Sequence, residues 1–113
     1  MPEKVTQLKD SAPAHLSADA KSWWRKIQRD FSIDDPGGLL LLTTALEAFD
    51  RMKQAQAAIE RDGPTVRGST KQLVAHPLIS VERDARGQML AAIRQLNLDL
   101  EPLRDHPGRP PGI

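Results

Sequence analysis

Three features of this 113-residue sequence predict an all-α fold of three helices, the second of them long. Apolar residues recur at steps of three and four in three separated stretches, the spacing that gathers side chains on one face of a helix. Capping and breaking residues bracket each stretch. Aromatic residues are scarce, with two Trp, two Phe and no Tyr. The core must therefore come from Leu, Ile, Val, Met and Ala, which suits helices packed on helices. The length fits one helical domain, placed at residues 16–98.

Residues 1–15 mix Pro, Lys, Ser and Ala without periodicity and are expected to form a flexible arm. The first helix opens at Leu16-Ser17, with Ser17 as N-cap and Asp19 near the positive end of the helix dipole. Leu16, Ala20, Trp23, Ile27 and Phe31 share one face. Trp23 is thus expected in the core, and Trp24 beside it is left as the indole able to stack on bases. Lys21, Arg25 and Arg29 step by four along another face, with Lys26 adjacent.

Asp34-Asp35-Pro36 restarts the chain as a helix, because Asp35 can cap and Pro36 fits the first turn. Gly37 and Gly38 each weaken that turn by about 1 kcal/mol relative to Ala. From Leu39 to Arg61 the helical pattern continues for about 35 Å. Leu41, Ala45, Ala48, Met52, Ala55 and Ile59 form one stripe, and Leu39, Leu42, Leu46 and Phe49 form a second beside it. That combined width exceeds what one neighbouring helix covers, so a subunit interface is expected.

Gly63 offers a left-handed C-terminal residue and Pro64 prevents continuation. Thr65-Val66-Arg67 and Gln72-Leu73-Val74 are β-prone triplets around Gly68-Ser69, giving a short β-hairpin or an extended connector. The third helix begins near Pro77 and carries Leu78, Val81, Ala85, Met89, Ala92 and Leu96 on one face. Gly87 inside it suggests a close helix approach. Residues 99–113 contain Pro without periodicity and are expected to be a flexible tail.

The composition narrows the function classes. The absence of Cys excludes a disulfide framework, a thiolate metal site and a Cys nucleophile. A formal net charge of +1 gives no chain-wide electrostatic footprint for nucleic acid, so any such surface must be local. No apolar run approaches the length of a membrane span, and the expected setting is a soluble intracellular one.

The segment Gly63-Pro-Thr-Val-Arg-Gly68-Ser-Thr-Lys71 has a superficial likeness to a phosphate-binding loop. Ser69 nevertheless occupies the Lys position, Lys71 arrives two residues late, and a helix precedes the segment in place of a strand. His15, His76 and His106 share no metal-ligand spacing, and His76 is read as preceding or capping the third helix. Asp34 and Asp35 are accounted for by helix capping. No catalytic residue, metal or cofactor is assigned.

Local basic groups are the candidate phosphate contacts: Lys21, Arg25, Lys26 and Arg29 on the first helix, and Arg67 and Lys71 around the connector. Asp19 and Asp30 partly balance the first set, which also fits an ordinary solvated face. A symmetric oligomer repeats a weak patch around its axis. The candidate interface residues are Leu39, Leu42, Leu46, Phe49, Met52, Ile59, Met89 and Ile93.

The order of these elements resembles the small terminase subunit of tailed bacteriophages and prophages, in the branch without an obvious N-terminal helix-turn-helix domain. The residues that carry the resemblance are Trp23-Trp24-Arg25-Lys26-Ile27, the helix end Ile59-Glu-Arg-Asp-Gly63, and the Val66–Val74 segment with Gly68. His76-Pro77-Leu78 and Ile93-Arg94-Gln95-Leu96-Asn97-Leu98 complete it. Asn97 stands where the family often has Gly, and Asn also tolerates the left-handed conformation. The resemblance spans roughly residues 16–104. It implies an all-helical homo-oligomer, commonly a ring, that recognises double-stranded viral DNA in the host cytoplasm. It further implies loading and regulation of the large terminase subunit, which carries the ATPase and nuclease. The alternative is a small helical regulatory or structural interaction protein without a DNA role.

Overall fold

The computed structural model describes residues 11–98. The tail expected at 99–113, His106 and the first ten residues of the arm lie outside them. Among the described residues, three helices and one two-stranded antiparallel sheet follow in the order α1 (Ala18–Phe31), α2 (Pro36–Asp62), β1 (Thr65–Arg67), β2 (Leu73–Ala75) and α3 (Leu78–Leu96). The expected all-α class, with its long second helix and short hairpin before the last helix, is the class observed.

Each boundary has a local cause. The Ser17 side chain accepts the Ala20 N–H at 3.0 Å and starts α1. Ser32 ends it in the left-handed region (φ 50, ψ 52). The Asp35 carboxylate accepts the Gly38 N–H at 2.8 Å, with Pro36 in the first turn of α2. Gly63 stops α2 with φ 86 and ψ 161, a positive φ but not the left-handed helical well expected from the sequence. Asn97 closes α3 at φ 61, ψ 34, the left-handed conformation anticipated for it.

The α2–α3 pair is the body of the molecule. Arg51 Nη2 donates to Gln88 Oε1 at 2.8 Å, and Gln56 Nε2 donates to Glu82 Oε2 at 2.9 Å, which fixes an antiparallel register. Ala45, Ala48, Ala55 and Ala58 of α2 and Ala85 and Ala92 of α3 are all buried. Such short side chains let two helix backbones approach closely. Helix α1 doubles back on the first half of α2, and Leu16, Ala20, Trp24, Ile33, Leu42 and Leu46 form the core between them.

Three sequence expectations are corrected. Trp24, not Trp23, is the core indole: Trp24 is 3% exposed and Trp23 47%. The buried face of α1 is Ala20, Trp24 and Gln28 at steps of four. Gln28 can lie there because its amide is satisfied: Nε2 donates to the Ile33 carbonyl at 2.8 Å and Oε1 accepts the Ile33 N–H at 2.7 Å. On α3, Val81 is exposed and Glu82 is buried, paired with Gln56 and Arg86. Gly87 has nothing within 4 Å of a would-be Cβ, so among the described residues it serves no close helix approach.

The hairpin pairs Thr65 with Ala75, Val66 with Val74 and Arg67 with Leu73, one residue later in β2 than the apolar triplet suggested. The loop explains the offset. Gly68 N–H donates to the Gln72 carbonyl at 2.8 Å and Lys71 N–H to the Gly68 carbonyl at 2.9 Å, so Gln72 belongs to the loop. Lys71 occupies a positive φ of 68 there.

Candidate functional site

The apolar surplus of α2 becomes a groove. Helices α1 and α3 both lie against α2, and an apolar trough of about 340 Å³ runs between them. Trp23 and Ile27 form one wall, Leu46, Phe49 and Met52 the floor, and Met89, Ile93 and Leu98 the other wall. Five of the eight residues proposed from sequence for a subunit interface thus meet in one place. The remaining three are elsewhere. Leu42 is fully buried in the chain's own core and presents nothing to a second molecule. Leu39 packs against that same core, and Ile59 lies toward the far end of α2, away from the groove.

Sequence reasoning missed Trp23, Ile27 and Leu98 as groove residues. Trp23 and Ile27 are spaced by four, and Leu98 directly follows the Asn97 cap, where an apolar residue often packs back on the helix end. Their spacing was visible. Which side of α1 faces α2 depended on Gln28, a polar residue in a core position.

The basic candidates form two separate groups. On α1, Arg25, Lys26 and Arg29 are exposed and Lys21 is half-buried. Two already have partners within the helix: the Lys26 ammonium lies 4.7 Å from the centre of the Trp23 ring, and Arg29 Nε is 3.4 Å from an Asp30 carboxylate oxygen. The start of α1 is also tied to acidic residues of α2. Asp50 accepts the Ser17 N–H at 2.9 Å together with the Ser17 hydroxyl, and His15 Nε2 lies 2.7 Å from Glu47. Residues 11–15, assigned to the arm from sequence, therefore include a contact with the helical body.

Arg67 and Lys71 come together at the hairpin. Arg67 Nη1 donates to the Lys71 carbonyl at 2.8 Å, and both residues are exposed. Asp50 marks where α1 begins to pack, and the end of α2 lies about 18 Å further along the helix axis. The two basic groups therefore do not merge within one chain.

His76 joins α2 to α3. It is 6% exposed, its Nδ1 accepts the Leu78 N–H at 3.1 Å, and its Nε2 lies 3.0 Å from Asp62 Oδ2. An Nδ1 that accepts leaves Nε2 as the N–H that donates to the carboxylate. The hydrogen bond from Arg61, and then that from His76, holds the Asp62 carboxyl well below the usual range. Glu82 is likewise lowered, first by Arg86 and then by Gln56. Both clusters are structural ties between elements, and His76 precedes the third helix, the placement expected of it.

Among the described residues no group of three or more His, Cys, Asp or Glu is placed to hold a metal ion. No helix among them is long and apolar enough to cross a membrane. Comparison with curated proteins and with solved structures finds no match. A family model does match, over residues 20–101, and its description is phage terminase, small subunit.

Proposed function

The chain belongs to the phage terminase small-subunit family, whose role is phage DNA packaging, and on that premise we propose a non-enzymatic, oligomeric adaptor. It recognises double-stranded viral DNA in the host cytoplasm and loads and regulates the large terminase subunit. The family match over most of the chain carries this reading. The open apolar groove supports its oligomeric part, because a trough lined by Phe49, Met52, Met89 and Ile93 gains when a second copy covers it. The exposed cations of α1 and the hairpin support its DNA-contacting part.

Light scattering tests the assembly: the full chain should have a mass well above that of a dimer, and Ile93→Asp should reduce it at micromolar concentration. A monomeric wild-type chain removes the adaptor ring. DNA affinity should fall steeply with salt, and charge reversal at Lys21, Arg25 and Arg29 tests the α1 surface. One observation favours a protein-only role, namely that Lys26 and Arg29 are already engaged by Trp23 and Asp30. A flat response to DNA, with capture of a host protein in place of the large subunit, would establish that second reading.

A further inference from the structure

Between Asp62 and Glu82 the hairpin and its flanks carry cations alone. From Gly63 to Val81 the sequence contains Arg67, Lys71 and His76 and not one carboxylate, in a chain where 27% of residues are charged. At the tip, Lys71 adopts φ 68, a backbone conformation that glycine takes without strain and a long side chain resists. Among the described residues no ion pair or hydrogen bond engages its ammonium. Arg67 braces this conformation through its bond to the Lys71 carbonyl. Ser69 and Thr70 between them are exposed. A lysine at a position that favours glycine, on the same hairpin as Arg67 and with no carboxylate between Asp62 and Glu82, points to a use for its charge.

We propose that the hairpin tip, Arg67 with Ser69, Thr70 and Lys71, is the element that contacts the phosphate backbone of duplex DNA. This rests on the DNA-contacting part of the function proposed above and assigns it to a surface. The tip lies at the far end of the α2–α3 pair from the Trp23–Ile93 groove, so copies that associate through the groove leave their tips uncovered. An oligomer then presents one pair of cations per subunit at one end, and weak contacts add along one duplex.

The test uses the full chain and a labelled duplex of mixed sequence, with anisotropy measured across a range of salt concentrations and melting followed in parallel. Lys71→Gly should melt a few degrees higher than wild type yet bind DNA several-fold more weakly. Its plot of log affinity against log salt should flatten by about 0.9 for each tip engaged. Arg67→Gln and Lys71→Gln should weaken binding and flatten the plot without the gain in melting temperature. They also read the lost charge should the glycine variant fold poorly. Arg83→Gln, an exposed cation on α3, should leave the slope unchanged. Wild-type affinity and slope in all three tip variants overturn the assignment while leaving DNA binding intact. A wild-type chain that binds no DNA at any salt overturns both. Retention of an acidic protein, with no salt-dependent DNA binding, makes the tip a protein contact and rejects the proposal.

Discussion

A methyl group on Gly38 would lie 2.7 Å from Ile33 Cγ2 and 2.8 Å from an Asp35 carboxylate oxygen. It would disturb the core and the cap of α2 together, so Gly38→Ala should destabilise the chain by about 1–3 kcal/mol in a urea titration. Gly87 is the opposite case, an exposed helix position with open space around it. Gly87→Ala should add about 0.5–1 kcal/mol in the same assay. Asp62 makes a further prediction at this scale. Its carboxyl titrates below the ordinary range because Arg61 and His76 hydrogen-bond the charged form. A carboxyl lowered in this way contributes its stability fully above its unfolded-state value and loses it as pH falls further. Asp62→Asn should therefore flatten the loss of stability that begins below about pH 4, with little added dependence near neutrality. An unchanged acid limb would mean that Asp62 is as well solvated folded as unfolded.

Helices α2 and α3 meet through alanines, and that makes their spacing intolerant of growth. Ala48 is 0% exposed, so Ala48→Leu should cost about 1–3 kcal/mol, read as a lower melting temperature. The larger side chain overpacks a position that is fully buried. Element boundaries were the most legible feature of the sequence, because Ser17, Asp35-Pro36, Gly63-Pro64 and Asn97 act through local hydrogen bonds and allowed backbone angles. Faces were less legible. Gln28 reads as a surface residue until its amide is seen to satisfy both polar groups of Ile33. That single clamp turns Trp24 inward and Trp23 outward. Glu82 displaces Val81 from the buried face of α3 for a similar reason, since Gln56 on α2 supplies a partner that local sequence does not reveal. The hairpin slipped by one residue because its left-handed position holds Lys where Gly or Asn would have announced it. Of the candidate site, the floor of the groove and Met89 and Ile93 on one wall followed from helical spacing in α2 and α3. The other wall required knowing how α1 docks.

At the scale of the whole molecule, the described chain divides its contacts unevenly. The segment α2–β1–β2–α3 is continuous in sequence and closed by His76, whereas α1 touches α2 alone to any extent and far more sparsely than α3 does. Trp24, the Gln28 clamp and the Ser17–Asp50 hydrogen bonds carry that docking. Opening of α1 therefore costs only part of the global unfolding free energy. Amide hydrogen exchange should show α1 losing protection ahead of α2 and α3, and identical opening energies across all three helices would show one cooperative unit instead. The same asymmetry sets an order for folding. The α2–α3 pair closes a short connection and can form early, while α1, although synthesised first, must await the completed first half of α2 before its indole has a surface to cover. A nascent chain thus secures α1 after the two helices that are synthesised behind it.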